Sequence, residues 1–229
     1  MKNRGAGFLP MAIGIVIILL GISLAQFQMF YPGLNSAVLP NNSTSTQDQI
    51  PGWKTYRSQT GRFSFQYPPD FQIGSTTPAA NTELGPVSTS TMLVVPLVNY
   101  FHTRVTSQVR LTIYEPSEVC PGDIGDISEL VNKGKINSSA GSFDKYYYQG
   151  VGAGQLYETW YYALVPNVNN KDDTCYPVVL LIHSANDPGV YPDYDTPEKI
   201  KTAADQQSKD KTAFTQLIDK MVSTYKLTK

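Results

Sequence analysis

The chain has 229 residues, 41% of them hydrophobic and 16% charged, with 18 Lys and Arg against 19 Asp and Glu, enough apolar material for one or two modest domains. A net charge of −1 without a basic stripe leaves no electrostatic footprint for a nucleic-acid backbone. Two cysteines and two histidines are too few for a zinc cluster or a disulfide-dense miniature scaffold.

Residues 7–25, GFLPMAIGIVIILLGISLA, carry no charge and as a helix span roughly 28 Å at about 1.5 Å per residue, close to the hydrocarbon thickness of about 30 Å. Lys2 and Arg4 precede the stretch and no charge follows it until Asp48, so the positive-inside rule keeps the N-terminus cytoplasmic and exports the rest. Residues 1–6 are thus read as a cytoplasmic N-terminus and 7–30 as a transmembrane signal-anchor helix. Ser23-Leu24-Ala25 before Gln26 offers the alternative of a cleaved signal peptide; either outcome places the remainder outside the cytoplasm. Residues 31–52, rich in Pro, Asn, Ser, Thr and Gln, read as a flexible linker, and 53–229 as the extracytoplasmic domain. In an oxidising compartment Cys120 and Cys175 are expected to pair, a bridge worth about 4 kcal/mol in the chain-entropy model.

Folding signals start at Trp53. Arg62–Tyr67 alternates polar and aromatic residues and stops at Pro68-Pro69, a half-buried strand with Phe63, Phe65 and Tyr67 inward. The apolar run Met92–Val98 leads to Val105–Tyr114, where Val105, Val109, Leu111 and Ile113 share one face. The spacing of Ile124, Ile127 and Val131, with Asp123 or Asp126 as cap and Gly134 as stop, predicts a short helix. Ser142–Gln149, Leu156–Val165 and Tyr176–His183 read as three strands, the last two forming a hairpin. Val178–Ile182 is apolar on both sides of the pleat, which predicts a central strand covered on both faces. Phe214, Leu217, Ile218, Met221, Val222 and Tyr225 form one helical stripe, and Thr196-Pro197-Glu198 suits an upstream helix start. Strand runs with helices at intervals predict an α+β domain in which helices cover an antiparallel sheet.

Several segments also carry a resemblance. Trp53-Lys54-Thr55-Tyr56 followed by Gly61–Pro68, Gly152-Ala153-Gly154 leading into Tyr157-Glu158, Cys175–Val179 with Ile182-His183-Ser184, and the closing Phe214, Ile218 and Ser223–Leu227 resemble PsbP-like domains of small membrane-anchored bacterial proteins. The resemblance covers about residues 53–227 and implies an α/β/α sandwich with an antiparallel sheet and an exported, tethered location. It carries over no catalytic residue.

Three sets of residues hold candidate chemistry. His183 and Ser184 are strand neighbours and point to opposite faces, so they do not pair with each other; a hydrolase reading needs His183 or His102 with a distant Ser and an acid such as Asp187. Asp193, Asp195 and Glu198 offer hard oxygens to calcium, although Asp, Pro and Gly are also ordinary turn and cap residues. Tyr146-Tyr147-Tyr148 and Tyr157, Trp160, Tyr161 and Tyr162 put aromatic rings on both faces of a sheet, one of them free for a ligand or partner. Gly150, Gly152 and Gly154 precede a strand and make no phosphate cradle. Together these readings predict no catalytic constellation and no cofactor. They predict a membrane-tethered envelope module that binds an envelope protein or glycan; the alternatives are an envelope-acting hydrolase using His183 or His102 and a calcium-dependent adhesive domain.

Overall fold

The computed structural model describes residues 49–82, 85–116, 130–164 and 175–228, without the side chains of 75–89. Ten strands and one long helix are found among the described residues. In chain order the strands are β1 (Lys54–Arg57), β2 (Phe63–Tyr67), β3 (Gln72–Thr82), β4 (Gly85–Val94), β5 (Thr106–Tyr114), β6 (Val131–Ser138), β7 (Gly141–Gly152), β8 (Gln155–Leu164) and β9 (Tyr176–Ala185); the helix α1 (Pro197–Ser223) precedes β10 (Lys226–Leu227). They form a seven-stranded sheet ordered β3-β4-β5-β9-β8-β7-β6 and a three-stranded sheet ordered β1-β2-β10, both antiparallel throughout.

One core joins both sheets and the helix. Phe63, Phe65 and Tyr67 of β2 meet Leu111 and Ile113 of β5, Val178, Leu180 and Ile182 of β9, Phe143 and Tyr162 of the outer strands, and Phe214, Ile218, Met221 and Val222 of α1. Helix and small sheet therefore lie on the same face of the large sheet, its inner face. Tyr56 reaches across to β4, its hydroxyl 2.7 Å from Thr91 Oγ1. Tyr225, just past α1, stacks on Phe63 at 4.8 Å and meets Phe143 edge-on at 5.1 Å.

The expected α/β/α sandwich is corrected by this arrangement. Among the described residues a single long helix covers one face, and the architecture is two antiparallel sheets sharing one core. The inward residues Val178, Leu180 and Ile182 of β9 are buried as expected. Outward-facing Val179 packs with Tyr114, Tyr161, Tyr146 and Tyr148 from neighbouring strands. Large tyrosines on adjacent strands lie close enough to cover a smaller residue between them, which is why an apolar-on-both-sides strand did not require helices on both sides. The helix expected to run to Gly134 is overturned where it is described: Val131–Ser138 is the edge strand β6, and Gly134 sits in it at φ 105° beside a register shift. Its Lys133, Lys135 and bulge protect an otherwise open edge.

Residues 7–30 lie outside the described residues, and no helix among the described ones is long and apolar enough to cross a membrane. The β8–β9 pairing agrees with the expected hairpin. Between β7 and β8 the two-residue turn Ala153-Gly154 takes φ 49° and 76°, the double positive φ whose twist matches the flanking strands.

The helix begins as its sequence suggests. Thr196 caps it, its Oγ1 accepting from Lys199 N at 3.3 Å, with Pro197 in the first turn. It then runs unbroken for 27 residues, because the buried stripe continues through Ala203, Gln207 and Asp210 before the apolar Phe214. At its end Thr224 Oγ1 donates to Met221 O at 2.6 Å and accepts from Gln66 N at 2.8 Å, fixing the helix to β2 and delivering β10 to its edge.

Candidate functional site

The outer face of the large sheet carries the tyrosines that the inner face does not use. Alternation sends Tyr147 and Tyr162 inward and Tyr146, Tyr148, Tyr157 and Tyr161 outward. Tyr114 and Tyr161 are buried there, whereas Tyr157 is 40% exposed. Cross-strand register places Tyr157 between His183 of β9 and Gly150 of β7. Tyr157 and His183 stack in parallel, centroids 4.4 Å apart and planes 6° apart. On the other side Gly150 has no side chain, and a Cβ built there would lie 3.4 Å from the Tyr148 ring and hydroxyl. Tyr157 thus stands as a partly exposed plate backed by His183, with Gly150 and the Tyr148 phenol on the neighbouring strand.

Polar groups border this plate. Ser107 Oγ is 3.1 Å from His183 Nδ1 and donates to His183 O at 3.3 Å. Gln108 pairs with His183 across the ladder, and Arg110 with Leu181. Arg110 is half-buried and has no ion-pair or hydrogen-bond partner among the described residues. None of the outward strand positions 108, 110, 148, 150, 157, 159, 181 and 183 is acidic. Around Tyr157 the face is aromatic, with Arg110 as a cation without a partner among the described residues.

The hydrolase residues are only partly brought together. Ser184 is buried on the inner face, opposite His183, as alternation demands. The serine that reaches His183 is Ser107. A serine nucleophile needs a base whose second ring nitrogen is oriented by an acceptor; here His183 Nε2 is buried with no hydrogen-bond partner, and burial holds its imidazole below the ordinary range. Asp187 is engaged elsewhere, accepting from Gly189 N at 2.8 Å at the start of a short 3-10 turn.

His102 is drawn to the helix. Its backbone N and its Nδ1 lie 2.7 and 2.8 Å from the two carboxylate oxygens of buried Asp210, to which Gln206 Nε2 also donates. Burial pushes the Asp210 carboxyl up, but these hydrogen bonds outweigh it and hold the group below its ordinary value. A depressed folded-state value means that the stabilisation is complete above the unfolded carboxyl value of about 3.9 and is lost as pH falls through the folded one. Asp210→Asn is therefore expected to cost about 1–3 kcal/mol at neutral pH, and the gap from wild type should close below about pH 4. Urea unfolding of both proteins between neutral and acid pH measures it; a gap constant with pH would refute the linkage.

The calcium candidates stand apart. Asp193 Oδ2 pairs with Arg104 at 3.1 Å, Asp195 Oδ1 with Lys199 at 2.7 Å, and Glu198 is exposed in the first turn of α1, where its charge favours the helix N-terminus. No group of three His, Cys, Asp or Glu side chains that could hold a metal ion exists among the described residues. Cys175 is fully buried and not a free thiol; Cys120 lies outside the described residues, as do Asp123, Asp126, Asp172 and Asp173.

Ser107, Arg110 and Asp210 are not singled out from sequence, and Gly150 is weighed there only as part of a phosphate cradle. Ser107, Arg110 and Gly150 gain meaning from cross-strand register, which no single strand encodes. Asp210 had a readable signal, falling in helical phase with Ala203 and Phe214.

No family model matches the chain, and no curated protein matches it. It is similar to a protein of Bacteroides thetaiotaomicron VPI-5482 with a crystal structure, at 11% identity and a TM-score of 0.39, over 78% of this chain and 49% of that one. The chain spans about half the length of that protein, and a likeness of this degree carries no argument about fold or function.

Proposed function

We propose that the protein is a membrane-tethered extracytoplasmic binding module of the cell envelope, held by its N-terminal apolar segment, whose outer sheet face binds an acidic glycan. The likeness of its motifs to PsbP-like domains and a Cys120–Cys175 bridge belong to the same proposal. The observation that carries it is Tyr157: one ring face rests on His183, and the residue is 40% exposed with Gly150, which has no side chain, as its neighbour on the other strand. A ring with one apolar face and a polar end suits the C–H face of a pyranose. Arg110, without a partner among the described residues and with no acidic residue at the outward positions around Tyr157, favours a carboxylated sugar further along the same chain.

The test uses full-length protein solubilised from carbonate-washed membranes, the fraction in which the tether requires it to be found. Affinity electrophoresis through polygalacturonate, with neutral dextran as control, reads the binding. Retardation by polygalacturonate is expected to fall about tenfold in Tyr157→Ala and to weaken in Arg110→Gln, with melting temperatures unchanged. If neither polymer slows the wild type, the glycan reading is wrong; absence from the membrane fraction removes the tether.

A further inference from the structure

Four buried polar side-chain atoms have no hydrogen-bond partner among the described residues: Thr103 Oγ1 and Thr106 Oγ1 at the start of β5, Ser184 Oγ near the end of β9 and Gln207 Nε2 in the first half of α1. Thr106, Ser184 and Gln207 are each more than nine-tenths buried, at 6%, 0% and 8% exposure. Thr106 and Ser184 face each other in the ladder, beside the backbone bond from Ala185 N to Val105 O at 2.9 Å. Gln207 is brought to them by its helix neighbours. One turn before it Ala203 packs on Val105 and Ala185; one turn after it Asp210 binds His102. The residues between are small, Ala185, Ala203 and Ser184, so the helix does not seal this contact with large apolar side chains as it does at Phe214.

A buried hydroxyl or amide left unpaired is costly, and three in one small region, with Thr103 at its border, call for a shared partner. That partner is neutral and small: among the described residues the nearest charged group along the helix, Asp210, is engaged by His102 and Gln206. We propose that Thr103, Thr106, Ser184 and Gln207 form an internal water site, in which one or two bound waters bridge α1 to the β5–β9 ladder. Water with two to four partners is the ordinary occupant of a buried polar space of this kind. The site makes the polar half of the helix stripe part of the fold.

Thr106→Val, Ser184→Ala and Gln207→Met, singly and combined in the full-length protein, test it by urea unfolding. If water bridges these groups, each single change takes a partner from it and lowers the folding equilibrium constant by up to about tenfold, and the triple variant loses less than the product of the three. If the groups are dry, each change removes an unpaired polar atom and raises the constant, which overturns the proposal. Should the triple variant fail to fold, water-oxygen magnetic relaxation dispersion of the wild type and the single variants decides. Long-lived waters lost in Ser184→Ala support the site, and a count unchanged by all three substitutions refutes it.

Discussion

Phe214→Ala is expected to destabilise the folded module by about 3–5 kcal/mol. Phe214 is 1% exposed and meets three aromatic rings, Tyr100 at 5.2 Å, Phe101 at 5.3 Å and Phe71 at 6.2 Å. Those rings come from the segment after β2 and from the turn between β4 and β5, so one helical side chain holds two irregular stretches against the core. Truncation removes buried apolar surface and leaves a cavity whose walls are anchored elsewhere and cannot collapse into it. In a domain of this size each kcal/mol moves the melting temperature by about 2–4 °C, so a fall of about 6–20 °C follows. Phe214→Leu keeps most of the volume and should cost less than about 1.5 kcal/mol. Equal effects of the two substitutions in thermal and urea unfolding would rule out the cavity explanation.

Asp219→Ala comes next, at about 3 kcal/mol. Lys145 Nζ lies 2.7 Å from both Asp219 oxygens, and the Tyr162 hydroxyl donates to Oδ1 at 2.8 Å. Lys145 is a buried cation on the inner face, its Nζ 4.6 Å from the Trp160 ring centre, and Tyr162 is fully buried; burial and the Asp219 charge together push its phenol far above the ordinary range. Without Asp219 an ammonium and a hydroxyl remain enclosed with no acceptor, and the cost is chiefly that of the unpaired charge. Lys145→Met in the Asp219→Ala background should therefore recover much of the loss, since it replaces the stranded cation by an apolar chain of similar length. A double-mutant cycle coupling below about 0.5 kcal/mol would sink the clamp. Lys211 and Glu158 form a second helix-to-sheet ion pair beyond Trp160, so α1 is held to β7 and β8 by charge as well as by apolar packing.

What could be read in advance follows from where each residue is buried. β2, β5, β8 and β9 were legible because their own apolar or aromatic alternation records the inner face, and β9 stood out as central because it is apolar on both sides. β3 and β6 were not, since edge strands are held by a neighbour's backbone hydrogen bonds; Asn132, Lys133, Gly134 and Lys135 of β6 are exposed and carry no strand pattern. β10 is two residues long and exists only because α1 ends at Thr224 beside Gln66. The tyrosine plate was half legible: alternation predicted rings on both faces, but only the register shows that Gly150 stands opposite Tyr157 and His183 behind it.

The sequence by itself determined the uncharged N-terminal stretch and its charge asymmetry, the cap and apolar end of the long helix, and the inward faces of the central strands. These are local patterns, in which a residue's chemistry and its spacing along the chain carry the information. The tertiary structure alone decided that one helix and a small sheet share a single face, that tyrosines of neighbouring strands cover the outer side of β9, that Asp193, Asp195 and Glu198 stand apart, and that Ser107 rather than Ser184 reaches His183. The tyrosine cover and the Ser107–His183 contact depend on pairing between strands distant in sequence, where hydrogen-bond register sets which side chains become neighbours.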